Sequence, residues 1–114
     1  MLKATFTEAR QTFDHPHPFG VFIGGEALDS GAPNALYCAA YRNGTYIVRG
    51  FSGGKRFDVI ARPAPNDAVK KAATPDDEVV QEVGWNVRGD SLECVVNGAS
   101  VWKGTKAEVT VRAS

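Results

Sequence analysis

Between Val83 and Lys103, apolar and polar residues alternate in a register that two turns fix independently. Asn97-Gly98 lies between apolar runs, and this pair suits a type I′ turn, which needs φ > 0 at both central residues. A two-residue loop there pairs Val96 with Ala99, Cys94 with Val101 and Leu92 with Lys103 on one face. On the other face it pairs Val95 with Ser100 and Glu93 with Trp102. Gly89-Asp90 supplies a second tight turn, which sets Val87 opposite Leu92, Trp85 opposite Cys94 and Val83 opposite Val96. Both hairpins select one inner face, formed by Val83, Trp85, Val87, Leu92, Cys94, Val96, Ala99 and Val101. Asn86, Glu93, Val95, Ser100 and Trp102 face outward. A slip of one residue would turn every side chain over, so agreement between the turns supports the register. Trp85 is expected in the core and Trp102 at a surface open to solvent or ligand.

The same alternation predicts strands elsewhere. Leu2, Ala4 and Phe6 alternate with Lys3, Thr5 and Thr7. The pattern breaks from Glu8 to Pro18, where Pro16 and Pro18 stiffen a polar loop. Gly20 to Gly25 is a continuous apolar strand, and Glu26 to Asn34 a loop. Asn43-Gly44 predicts another type I′ hairpin between Ala35–Arg42 and Thr45–Phe51, pairing Tyr41 with Tyr46, Ala39 with Val48 and Tyr37 with Gly50. That register gathers Tyr37, Tyr41 and Tyr46 on one face as an aromatic platform. Ser52 to Arg56 reads as a turn, Phe57 to Arg62 as a strand, and Pro63 to Pro75 as an excursion with a helical turn over Asp67 to Ala72. Val79 to Arg88 is a long strand, and Ala107, Val109 and Val111 predict a last one over Lys106 to Arg112. Many short strands with frequent turns and no sustained helical period predict an all-β protein, an antiparallel β-sandwich or jelly roll. Residues 1–114 are read as a single domain.

Composition narrows the function. Thirteen basic and thirteen acidic residues cancel, so no global field draws the chain to nucleic acid or to an anionic membrane. No apolar run is long enough to span a bilayer, and Met1 to Phe6 alternate like a strand rather than a signal peptide, which predicts a soluble chain. Cys38 and Cys94 lack metal-ligand or C-x-x-C spacing. They are either two buried thiols or, in an oxidising compartment, a disulfide clamping distant strands.

Three groups of residues suggest chemistry. Asp14, His15 and His17, with Glu26 from the next loop, are the one set with metal-ligating character. The two histidines project to the same side of an extended backbone, so a divalent metal, and with it a small metal-dependent enzyme, is one reading. Trp102, Glu93, Asn86 and Arg88 form a second group, and Tyr37, Tyr41, Tyr46 and Arg49 a third. Rings interleaved with polar groups suit saccharides, whose apolar face stacks while the hydroxyls take edge-on hydrogen bonds. Against this stands the plain alternative that the tyrosines pack in a second core layer and Trp102 covers an edge. Glu93 alone is not the carboxylate pair that a glycoside-type hydrolase needs. Arg88-Gly89-Asp90 spells an adhesion tripeptide and Asn43-Gly44-Thr45 a glycosylation sequon, but the turns already call for these residues.

Tyr46 to Phe51 (YIVRGF) and Val83 to Val101 (VGWNVRGDSLECVVNGASV) resemble the concanavalin A-like, laminin G-like sandwich domains of the bacterial 3-keto-disaccharide hydrolase group. The chain is similar also to secreted bacterial proteins in which a loop like Asp14 to Gly20 (DHPHPFG) precedes a segment like Leu36 to Tyr41 (LYCAAY). The resemblance implies a jelly roll that holds or acts on a saccharide, in exported relatives. Against that pattern the chain is shortened at both ends and lacks the paired acids of laminarinase-like glycosidases. Open sheet edges then imply a homodimer, and a truncated self-associating structural domain is a further alternative.

Overall fold

The structure, a computed structural model, describes residues 2–8, 19–24, 35–52, 55–74 and 77–113. Its first sheet grows outward from the hairpins read in the sequence. β7 (Val79–Arg88) and β8 (Ser91–Val96) pair with Val83 opposite Val96, Trp85 opposite Cys94 and Val87 opposite Leu92, as expected. Gly89 takes φ +56° in the connecting turn, and Asn97 and Gly98 take +52° and +85°, the signs a type I′ turn requires. β9 (Ala99–Thr105) follows, and β1 (Leu2–Glu8) joins the other side of β7, giving the order β1-β7-β8-β9. The second sheet runs β2 (Phe19–Gly24), β3 (Ala35–Ala40), β4 (Thr45–Ser52), β5 (Lys55–Asp58), with β6 (Ala64–Pro65) also paired to β4. All pairings are antiparallel, and the two sheets pack face to face as an all-β sandwich.

Alternation sends one side of each strand into the shared core. Val83, Trp85, Leu92, Cys94 and Val96 meet Val21, Ile23, Leu36, Cys38, Ala40, Tyr46 and Val48. Removing such side chains from water contributes about 1.5–3 kcal/mol each. Trp85 is wholly buried, and its indole N–H donates to the Val21 carbonyl at 2.9 Å, which satisfies the one polar group it brings inside. Of the two cysteine readings, the structure adopts the bond: a disulfide joins Cys38 on β3 to Cys94 on β8, sheet to sheet, with Cα atoms 6.4 Å apart.

Five local expectations are corrected. The β3–β4 connection is a three-residue loop, Arg42-Asn43-Gly44, rather than a two-residue one. Gly44 N–H donates to Tyr41 O at 3.2 Å and Tyr41 N–H to Thr45 O at 2.8 Å, and of the Asn-Gly pair only Gly44 has positive φ, +86°. Side-chain and tertiary bonds favour this loop. Asn43 Oδ1 accepts from Thr45 N–H at 3.2 Å and from its hydroxyl at 2.6 Å, while Arg42 O accepts from Ala72 N–H at 2.7 Å. The register therefore shifts by one, pairing Ala40 with Tyr46, Cys38 with Val48 and Tyr37 with Arg49.

In β9 the type I′ turn sets Val96 opposite Ala99 and Val95 opposite Ser100 as expected. A bulge then places Cys94 opposite Trp102 and Glu93 opposite Lys103. Over residues 106–112 the structure has α1 (Lys106–Ala113) in place of a strand. Thr105 Oγ1 accepts from Glu108 N–H at 3.1 Å, the N-cap half of a Thr-x-x-Glu capping pattern, and Val109 is buried in the core. Finally, the excursion before β7 makes a turn at Asn66–Val69 without a helix, and the strand expected at Phe57–Arg62 is β5, beginning earlier at Lys55.

That excursion is tied down by polar side chains. Gln81, 1 % exposed, accepts from Lys70 N–H at 2.8 Å and donates to Tyr41 O at 3.4 Å. Asn97 donates to Ala68 O at 2.8 Å and accepts from Glu82 N–H at 2.9 Å. Arg42 reaches the Thr74 and Asp77 carbonyls. Val69 plugs into the core beneath them.

Candidate functional site

The two sheets turn different chemistry outward. On the second sheet, the observed register lays Phe22, Tyr37, Arg49 and Asp58 in one row across β2, β3, β4 and β5, with Phe51 and Arg56 in the neighbouring row. Phe22 stacks on Tyr37 with ring centroids 4.3 Å apart, and Phe51 leans on Phe22 at 5.9 Å. Phe22 is 53 % exposed, an aromatic ring held in place by another ring while its far face meets water. Beside it Arg49 Nε lies 3.5 Å from Asp58 Oδ1, placing a donor group and an acceptor group at the border of the rings.

The one-residue shift divides the expected tyrosine platform. Tyr37 and Tyr41 stay on the outer side, where the shift brings Arg49 opposite Tyr37 and Tyr41 packs with Ala39 and Ile47 in a small buried cluster. Tyr46 goes inward: its hydroxyl donates to Val101 O at 2.8 Å, and burial raises the phenol pKa above its ordinary value. Phe22, Phe51 and Asp58 enter the face instead. Phe22 had a signal in the sequence, because it sits between Val21 and Ile23 and must point opposite to them in a strand.

On the first sheet the expected group Trp102, Glu93, Asn86 and Arg88 also divides. The bulge turns Trp102 toward the core, where it meets Trp85 edge-on at 6.0 Å. Its ring crosses Gly104, where an added Cβ would come within 2.5 Å of the indole. Val101, beside the bulge, gives its carbonyl to Tyr46, and that bond together with burial of the indole accounts for the inward turn. Asn86, Arg88 and Glu93 remain together. With Ser91, Lys103 and the edges of Leu92 and Gly104 they line an open basin of about 380 Å³. Lys103 Nζ lies 3.7 Å from Glu93 Oε2.

Asp14, His15, His17 and Glu26 lie outside the described residues. Among the described residues no group of three metal-ligating side chains assembles, and no helix is long and apolar enough to cross a membrane. The Arg88-Gly89-Asp90 turn is exposed, and Asp90 gives its carbonyl to Lys106 N–H at 2.8 Å. The chain matches no family model, no curated protein and no solved structure.

Proposed function

We propose that this chain is a carbohydrate-binding β-sandwich module whose contact surface is the outer face of β2–β5. One observation carries the reading: Phe22 presents an open ring face, stiffened from behind by Tyr37 at 4.3 Å and bordered by the Arg49–Asp58 pair. A pyranose needs this combination, an apolar plane for its C–H face and in-plane polar groups for its hydroxyls. The ring is preorganised, so little side-chain entropy is lost on binding. The laminin G-like, concanavalin A-like resemblance of Tyr46 to Phe51 and Val83 to Val101 points the same way and belongs to the same proposal. So does an extracytoplasmic setting, which a buried inter-sheet disulfide favours. Recognition without catalysis is proposed, since the described face holds no pair of carboxylates across a cleft.

The test is titration with neutral gluco- and galacto-oligosaccharides. Saturable binding that weakens about tenfold in Phe22→Ala corresponds to about 1.4 kcal/mol of lost stacking. Failure of every neutral saccharide to bind the folded protein, or equal binding by Phe22→Ala and Tyr37→Ala, would overturn the reading. A dimer in sedimentation that dissociates in Phe22→Ala would assign this face to a second copy of the chain. The edge position of β2, paired among the described strands only with β3, favours that second reading.

A further inference from the structure

The opposite face of the sandwich carries a polar basin of different chemistry. Asn86, Glu93 and Lys103 form a row across β7, β8 and β9, and Arg88 and Ser91 form the adjacent row. Strand spacing makes this patch about 10 Å wide, and two residues along a strand make it about 7 Å deep. One substituted sugar ring fits these dimensions, and the basin of about 380 Å³ is within the usual range for small-molecule sites.

Two features define the ligand. The side chains of Arg88 and half-buried Asn86 make no hydrogen bond or ion pair among the described residues, so a guanidinium fork and an amide face the basin without acceptors. The Lys103–Glu93 pair is long at 3.7 Å and the lysine side chain is 73 % exposed, so solvent screens it and the ammonium is readily redirected. Two cations against one carboxylate leave one positive charge for an anion, while Asn86, Ser91 and Glu93 supply hydrogen-bonding groups for hydroxyls. The bulge has turned Trp102 inward, so stacking is not available here and recognition rests on charge and hydrogen bonds.

We infer that the basin binds a hydroxyl-bearing carboxylate of the uronic acid class, its carboxylate on Arg88 and its hydroxyls over Asn86, Ser91 and Glu93. This inference does not rest on the aromatic face, which lies on the other sheet.

The disulfide-intact chain is titrated with glucuronate, glucose, acetate and an oligogalacturonate trimer, following amide chemical shifts. Glucuronate, the trimer or both should bind at least tenfold more tightly than glucose or acetate, with shifts at residues 86–93 and 103. Binding by both uronates marks a free sugar acid as ligand, and binding by the trimer alone marks a polyuronate chain; either supports the inference. Arg88→Gln, an exposed change whose fold is checked by its melting temperature, should weaken binding at least tenfold, and Phe22→Ala should leave it unchanged. Equal binding of acetate would reduce the basin to a nonspecific anion patch, and equal binding of glucose would remove the role of charge. Either result, no uronate binding, or no effect of Arg88→Gln overturns the inference.

Discussion

The bond between Cys38 and Cys94 is a determinant of stability that experiment can reach directly. It closes a loop of sequence separation 56 and links the two sheets through their buried faces. Loop-closure entropy removed from the unfolded chain at that length is worth about 4 kcal/mol at 25 °C. A domain of this size has about 5–15 kcal/mol in all, so the bond is a large share of the total. Urea unfolding with and without reductant, allowing the buried sulfurs to equilibrate through the unfolded state, should separate the two midpoints by about 2 M for a slope near 2 kcal/mol/M. The melting temperature should fall by about 15–20 °C. Cys38→Ala with Cys94→Ala should fall at least as far, because it adds a cavity. A midpoint difference below about 0.5 M, or two free thiols titrating in urea without reductant, would refute the account.

Tyr46→Phe removes the bond to Val101 O and should cost about 1 kcal/mol in denaturant titration. Because burial raises the folded phenol pKa, the folded state holds its proton more tightly than the unfolded state; Tyr46 thus contributes stability that is complete below the unfolded value of about 10 and is lost as pH rises through the folded value. Stability measured between pH 9 and 11 should decline less steeply in Tyr46→Phe. Gln81→Met leaves Lys70 N–H without its acceptor and Tyr41 O with Gly44 N–H alone, and should cost about 1–3 kcal/mol, with faster amide exchange at residues 66–72. Thr105→Ala deprives Glu108 N–H of its acceptor and should cost about 1 kcal/mol, with loss of helical circular dichroism from α1.

Local turn chemistry was legible where nothing distant competed with it. Gly89 and the Asn97-Gly98 pair set the β7–β8 register and the first rungs of β8–β9, and with them the core position of Trp85. Asn43-Gly44 looked equivalent, yet hydrogen bonds from Ala72 to Arg42 and from Thr45 to Asn43 selected a longer loop, and one extra residue moved Tyr46 from the surface to the core. The β9 bulge had no local marker. Its bonding partner, Tyr46, is 55 residues away in sequence. The helix over 106–113 did have one, Thr105 and Glu108 in capping spacing, but three alternating apolar residues outweighed it. Of the candidate groups, Asn86, Arg88 and Glu93 come together in the structure because they depend on the well-fixed β7–β8 register. The aromatic face was only half legible because it depends on the shifted one.

The sheet-to-sheet bond also determines how the molecule bears tension. Pulled from points on either side of the bond, a cystine-free chain would release the segment from Cys38 to Cys94 as about 190 Å of slack. With the bond closed, force passes through the bridge, whose Cα atoms are 6.4 Å apart, and β4, β5, β6 and β7 are mechanically bypassed. Arg49 and Asp58 sit inside the bypassed loop and Tyr37 just before it, so this part of the outer face would keep its geometry under load, whereas Phe22 on β2 lies outside the loop.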